Sequence, residues 1–177
     1  MRLVRLFFCA VIFSQLIFIN CSQKESGKVQ ELKFYAADNL EQVINLSRVK
    51  LDSSVFIEGV ASLRIDSEQP MAVKLYETGK LDVDNCRILY QAKLKTKNLQ
   101  GEAYLEMWCH FPGKGEFFSR ALHTRLSGDN DWSTHEVAFL LQPGEKPDQV
   151  KLNLVVKGIG TVWIDDLRLI KVPLENQ

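Results

Sequence analysis

The sequence lacks a net charge, because 22 Lys and Arg residues balance 22 Asp and Glu residues. A protein that binds nucleic acid through phosphate contacts carries a basic excess, so this balance argues against a nucleic-acid partner. The chain also lacks the composition of a disordered protein, since 46% of its residues are hydrophobic and 25% are charged. These values are typical of a folded globular protein, and 177 residues are enough for one domain.

Recognisable catalytic and metal-binding motifs are scarce. The four cysteines and three histidines match no zinc spacing, and no histidine stands two or four residues from another. The turn at 113–115 lacks the remaining residues of a phosphate-binding loop, and no serine has a Gly-x-Ser-x-Gly frame. We therefore expect a protein without enzymatic activity. Hydrolysis by the acidic cluster Glu102, Glu106 and Glu116 is a third hypothesis, weaker than a binding function.

The first twenty residues have the pattern of an export signal. Arg2 and Arg5 precede an uncharged, mostly apolar run over 6–19, which is followed by an abrupt switch to polar residues. A helix of this length measures roughly 21 Å, too short for a hydrocarbon core of about 30 Å. The pattern predicts a secretory signal peptide over residues 1–20.

The end of this segment resembles the lipobox of bacterial lipoproteins. The residues concerned are Phe18-Ile19-Asn20-Cys21, and the resemblance implies lipidation of Cys21, followed by a polar tether over 21–30. The membrane partner would then be reached through the N-terminal lipid, and Ser22 after the cysteine implies the outer membrane of the bacterial cell envelope. The alternative is an uncleaved signal anchor with Cys21 as an ordinary thiol. Cleavage before Cys21 would remove two basic residues and no acidic one, so that 20 basic and 22 acidic residues give a net charge of −2.

Two cysteines remain beyond the tether. Cys86 and Cys109 would lie in an oxidising compartment, where a disulfide between them is an option if their Cα atoms come within about 7 Å. Two small buried thiols are the favoured alternative.

The rest of the sequence alternates between apolar and polar residues and contains one stretch, 38–44, that could form a helical turn. Turn residues recur about every ten positions, and no strand-helix-strand rhythm is present. This pattern predicts an all-β sandwich of about eight to nine antiparallel strands over residues 31–173. The later strands are expected at 60–66, 71–76, 87–96, 103–111, 117–123, 133–141, 150–157 and 161–172.

The segment 103–111 is the most informative of these strands. Its odd-numbered residues are apolar and should face the core, whereas the even-numbered ones should face outward. Aromatic faces stack on sugar rings, and carboxylate and imidazole groups bind hydroxyls, so this outward row is a candidate ligand site. The alternative is a second layer of core under a covering segment. The four candidate ligand-binding residues are Tyr104, Glu106, Trp108 and His110.

Over residues 49–170 the order of features resembles the galactose-binding-like jelly roll, the sandwich shared by many carbohydrate-binding modules. Three segments carry the resemblance: Glu58-Gly59-Val60-Ala61-Ser62-Leu63, Asp131-Trp132-Ser133, and Gly160-Thr161-Val162-Trp163-Ile164-Asp165-Asp166. The resemblance implies a jelly-roll topology. It also implies a structural Ca²⁺, with Glu58 and Asp165 or Asp166 as candidate ligands together with Asp38. The alternative for these acids is a salt bridge with Arg168 or Arg64, or a hydrogen-bonded strand end.

These features lead to two hypotheses about function. The first is a lipid-anchored, non-catalytic envelope module that binds a carbohydrate or another polyhydroxylated ligand. The second is a structural or assembly lipoprotein that uses the same face to bind an envelope protein.

Overall fold

The structure, a computed structural model, describes residues 27–174. The predicted signal peptide, Cys21 and most of the tether lie outside these residues. Two short 3₁₀ helices, Leu46–Arg48 and Leu122–Thr124, interrupt an otherwise all-β fold. The eight strands are β1 Gln30–Tyr35, β2 Lys50–Asp52, β3 Ser62–Ser67, β4 Met71–Thr78, β5 Cys86–Phe111, β6 Gly115–Arg120, β7 Leu126–Leu141 and β8 Gln149–Pro173.

The predicted all-β jelly-roll sandwich is confirmed. Every strand pairing is antiparallel, and the two long strands β5 and β8 pair along their whole length. In the first layer, residues 86–97 of β5 lie between β7 and residues 161–173 of β8, which also pairs with β1 and β3. In the second layer, residues 100–111 of β5 lie between β6 and residues 149–159 of β8, which also pairs with β4. Each long strand therefore belongs to both layers.

The change of layer occurs where the two long strands cross each other closely. A Cβ atom on Gly158 would lie 1.9 Å from the carbonyl oxygen of Gln100, and one on Gly101 would lie 2.2 Å from that of Lys157. The pairing register also shifts between Lys97 and Gln100. Glycine is required here because the two backbones pass within the space that a side chain would fill.

Some of the strand and helix boundaries predicted from the sequence are therefore wrong. The strands expected at 87–96 and 103–111 form one continuous strand, β5, in which residues 98–101 make a bend. The stretch 38–44 forms turns and bends without a helix. Among the described residues no helix is long and apolar enough to cross a membrane.

The core between the layers contains both described cysteines. Cys86 and Cys109 are buried and free, so the favoured expectation of two thiols holds and the disulfide is not formed. Cys86 begins β5 in the first layer, and Cys109 lies near its end in the second. Burial raises the pKa of the Cys109 thiol to about 12, which keeps it protonated and unreactive.

Candidate functional site

In the second half of β5 the odd-numbered side chains face the core, as predicted. Ala103, Leu105, Met107, Cys109 and Phe111 are all buried and belong to the core. The even-numbered residues point to the outer face of the second layer, where cross-strand register gives them neighbours on β6 and β8.

A buried carboxylate organises the centre of this outer face. Glu106 is 4% exposed, and its Oε1 accepts hydrogen bonds from Trp108 Nε1 at 2.7 Å and from Asn153 Nδ2 at 3.2 Å. Its Oε2 accepts a hydrogen bond from Arg120 Nε at 2.6 Å. Burial alone would raise the pKa of Glu106, but the three hydrogen bonds more than offset it, and the pKa lies below its usual range. Glu106 therefore remains ionised and fixes the three side chains around it.

The surface beside Glu106 is an aromatic platform formed by Trp108 and Phe118. These two residues are register partners on β5 and β6, and their ring centroids are 4.9 Å apart at an interplanar angle of 42°. Trp108 is half-buried, whereas Phe118 is 49% exposed. The guanidinium carbon of Arg120 lies 4.3 Å from the Phe118 ring centroid, a cation-π contact. The result is a partly exposed apolar surface with the Arg120 cation over one face of the Phe118 ring.

Tyr104 and His110 do not join this platform. Tyr104 is 1% exposed, so its ring has no free face and the predicted stacking role does not fit it. His110 is half-buried, and its Nδ1 lies 2.5 Å from Oδ1 of Asp148. The predicted open row of four residues is thus reduced to Trp108 and His110, with Glu106 as a buried anchor. Their binding of a ligand stays a prediction.

Asn153 on β8 forms the floor beyond Glu106. Its Nδ2 must face the Glu106 carboxylate, because the amide nitrogen donates and the carboxylate only accepts. This leaves Oδ1 buried and without a hydrogen-bond partner. A buried acceptor without a donor costs free energy, which a bound water would recover.

Four further residues lie on this face that the sequence pattern did not predict: Phe118 and Arg120 on β6, and Lys151 and Asn153 on β8. Lys151 forms an ion pair with Glu116. Each of the four is a register partner of a residue on β5, so only the strand pairing reveals them. The alternation within β6 was the one signal available in the sequence, because it places Phe118 and Arg120 on the same face.

The candidate calcium ligands lie at the far end of the first layer, where they hold a loop. Oδ2 of Asp165 accepts hydrogen bonds from the backbone N–H groups of Ile57 and Glu58, at 3.0 and 3.1 Å. Oδ1 of Asp38 accepts those of Val60 and Ala61, at 2.7 and 3.1 Å. The two carboxylates thus fix the loop between β2 and β3 through its backbone.

The other carboxylates of the predicted calcium site are engaged with cations. Arg168 donates to Oδ1 of Asp166 through Nε and Nη2, at 2.9 and 2.7 Å. Lys93 Nζ lies 3.3 Å from Glu58 and 3.6 Å from Asp166. These residues do not fit a calcium ion, because their oxygens already accept hydrogen bonds or face a positive charge. Asp166 therefore forms the salt bridge with Arg168 that was the alternative to a calcium site.

No group of three or more His, Cys, Asp or Glu side chains within residues 27–174 is arranged to hold a metal ion. A depression of about 570 Å³ lies on the outer face of the first layer and includes Trp163, Arg64 and Lys95 in its lining. Trp163 is only 5% exposed there, its Nε1 donates to Asp52 at 2.9 Å, and Arg64 covers its ring. It therefore presents no stacking surface comparable to that of Phe118.

The eight-stranded jelly-roll fold is shared with solved carbohydrate-binding modules. The structure is similar to the first family 22 module, a xylan-binding domain, of Paenibacillus barcinonensis Xyn10C, with a TM-score of 0.58 and 11% identity over 84% of this chain and 99% of that one. It is equally similar to part of a Clostridium thermocellum xylanase 10B structure, which contains a CBM22-1 and a GH10 module in complex with xylohexaose, with a TM-score of 0.58 and 11% identity over 83% of this chain and 29% of that one. A family 16 carbohydrate-binding module matches with a TM-score of 0.50 and 11% identity over 69% of this chain and 84% of that one. No protein-family model and no curated protein matches the sequence. At these identities the similarity establishes the fold.

Proposed function

We propose that this protein is a non-catalytic module that binds a polyhydroxylated ligand, a carbohydrate chain, on the outer face of its second layer. The observation that carries the proposal is the pair of half-buried Trp108 and exposed Phe118, held in place by Glu106 and Arg120. Sugar rings have apolar faces that stack on aromatic rings, and their hydroxyls need directional partners. The xylan-binding domain and the xylohexaose complex among the structural neighbours support this ligand class.

The polar groups beside the platform suit hydroxyls better than a strong ionic charge. Arg120 and Lys151 are each paired with a glutamate, and His110 is paired with Asp148. The site therefore combines an apolar platform with locally neutralised polar groups.

The proposal is tested by retention on a panel of insoluble and gel-embedded polysaccharides, including xylan and envelope glycans. We expect the wild-type protein to be retained by at least one of them. Trp108→Ala and Phe118→Ala should each lose this retention, because stacking on an aromatic ring contributes about 1–3 kcal/mol in related contacts.

A matched control is available on the first layer. Phe34 is 47% exposed and has a cation over its ring, with the guanidinium carbon of Arg168 at 4.7 Å from the ring centroid. Because Phe34 lies on β1 in the first layer and not on the platform, Phe34→Ala should be retained like the wild type. Equal retention of Trp108→Ala and wild type would refute the assignment of the platform.

We further propose that the module is lipid-anchored at Cys21 in the bacterial envelope, with the outer membrane as the favoured location. The support is the lipobox-like sequence and the polar tether that follows it. Radiolabelled fatty acid should be incorporated by the wild-type chain and not by Cys21→Ser, and the label should fractionate with the outer membrane. Label-free wild-type protein in the soluble periplasmic fraction would contradict the anchor.

An envelope protein as the partner is the second candidate function. It is favoured by a different surface, the loop between β2 and β3, where Phe56, Ile57 and Val60 are exposed on a backbone fixed by Asp165 and Asp38. Exposed apolar patches of this kind mark protein contacts. In-cell crosslinking from position 57 that yields one stoichiometric envelope protein, together with no glycan retention, would favour this function over the first.

A further inference from the structure

The strand β6 is an edge strand with an unusually apolar exposed surface. It pairs with β5 on one side and with no other strand of the described structure. Phe117 and Phe118, at its centre, are 48% and 49% exposed. An exposed edge of this kind is a template for pairing with another strand.

The hydrogen bonds between β5 and β6 show which backbone groups of β6 point away from β5. The N–H of Ala121 donates to the carbonyl of Leu105, which makes Leu105 and Ala121 a hydrogen-bonded pair. Such pairs alternate along an antiparallel ladder, so Ser119 and Phe117 are also bonded to β5. The backbone N–H and C=O groups of Glu116, Phe118 and Arg120 therefore point away from β5. These three residues also share the outer face of the second layer.

We propose that two copies of this chain pair through β6, antiparallel, about a two-fold axis at Phe118. In this register Phe118 lies opposite the partner's Phe118, and Glu116 lies opposite the partner's Arg120. The strand is thus self-complementary in apolar surface and in charge, and all three outward-facing residues find hydrogen-bonding partners.

The side chains are free to make the new ion pairs. Within its own chain, Arg120 bonds to Glu106 through Nε, which leaves its terminal N–H groups for the partner's Glu116. Glu116 uses Oε1 for Lys151 and keeps Oε2 for the partner's Arg120. The exchange therefore breaks no contact of the single chain.

This pairing extends the sheet across the two-fold axis and joins the two aromatic platforms. Trp108, Phe118, the partner's Phe118 and the partner's Trp108 would form one row across four adjacent strands, about 14 Å long from three strand spacings. The row would give the dimer a longer apolar surface than either chain has alone. A six-residue edge buries less than the about 1,200 Å² of a stable interface, so we expect pairing that depends on protein concentration.

Disulfide crosslinking tests the register directly. The full chain is used in detergent with Cys9→Ser and Cys21→Ser, so that only the introduced thiol and the buried Cys86 and Cys109 remain. In a hydrogen-bonded antiparallel pair the Cα atoms lie about 5.5 Å apart, within the range of a disulfide, so Phe118→Cys should form a covalent dimer on mild oxidation. Glu116→Cys is the matched control, because four residues along the strand place it roughly 14 Å from its own copy.

The expected result is a dimer fraction for Phe118→Cys roughly tenfold or more above that for Glu116→Cys. Equal crosslinking at both positions, more at position 116, or none at either would overturn the proposal. Sedimentation of otherwise unmodified protein gives a second measurement. The self-association of wild type should be weakened by Glu116→Lys, which sets a lysine against the partner's Arg120, and unchanged by Glu136→Lys on the exposed side of β7. Since neither experiment involves a glycan, failure of the pairing and failure of the proposed function are distinguishable.

Discussion

Trp108 donates its indole N–H to the buried Oε1 of Glu106 over 2.7 Å. Adjacent positions on one face of a strand are thus coupled, with the carboxylate below the surface and the indole at it. The ring orientation is set by a charged acceptor, and a pre-oriented ring loses less conformational entropy when a ligand stacks on it.

Removing the charge of Glu106 tests this coupling. We expect Glu106→Gln to lower the free energy of unfolding by about 1–3 kcal/mol, because the amide replaces one acceptor oxygen by a donor that faces other donors. Urea denaturation at neutral pH measures the change. Glu102→Gln is the control, since Glu102 has ion pairs with Arg125 and Lys157 at 3.4 and 3.8 Å, and partly exposed pairs contribute about 0–1 kcal/mol. A loss at Glu106 no larger than that at Glu102 would contradict the organising role.

The same carboxylate predicts a pH dependence. The pKa of Glu106 is lowered in the folded protein, so its stabilising contribution is present above the ordinary glutamate pKa and is lost as the pH falls towards the depressed value. The difference in unfolding free energy between wild type and Glu106→Gln should therefore be constant from pH 7 to about 5, and it should shrink as the pH falls from about 5 to below 4.3. Asp165 contributes to the pH dependence of stability with the opposite sign, because burial raises its pKa. Comparing wild type with Glu106→Gln is needed because it cancels the contribution of Asp165. A difference that stays constant below about pH 5 would count against the assignment.

Gly59 should be the least replaceable residue of the β2–β3 loop. Its φ is +65°, and a Cβ atom there would lie 2.3 Å from Oδ1 of Asp38, the oxygen that binds the loop backbone. Gly144 has a φ of +81° with open space around its Cα, so Gly144→Ala should cost only the backbone strain of about 1–2 kcal/mol. Gly59→Ala should cost clearly more, measured by thermal or urea unfolding. Equal losses would mean that the Asp38 contact is unimportant.

Calcium should not stabilise the folded chain. Asp165 and Asp166 accept hydrogen bonds from the backbone and from Arg168, and Glu58 faces Lys93. A ligand that binds the folded state raises the midpoint of unfolding with its concentration. We therefore expect the same Tm in EDTA, in millimolar Mg²⁺ and in millimolar Ca²⁺. A rise in Tm specific to Ca²⁺ would restore the calcium site implied by the family resemblance.

The sequence predicts the fold class and the inner side of β5 because both follow from local alternation. It does not predict that Tyr104 is covered, since a period of two assigns a residue to a face without showing what lies over that face. Phe118, Arg120 and Asn153 join Glu106 through strand register, which depends on pairings between residues up to 47 positions apart. The turn-like residues 98–101 were misleading for a similar reason. They allow a sharp bend, and only the crossing with β8 decides that the strand continues through it.

Binding at the Trp108–Phe118 platform is tested most directly by calorimetric titration with the polysaccharide that the protein retains, or with an oligosaccharide from it. We expect Phe118→Ala and Trp108→Ala each to weaken binding by roughly tenfold or more in Kd, in proportion to a lost stacking contact of about 1–3 kcal/mol. Phe34→Ala should leave the Kd unchanged. Equal affinity in all four proteins would show that the Trp108–Phe118 platform is not the binding site.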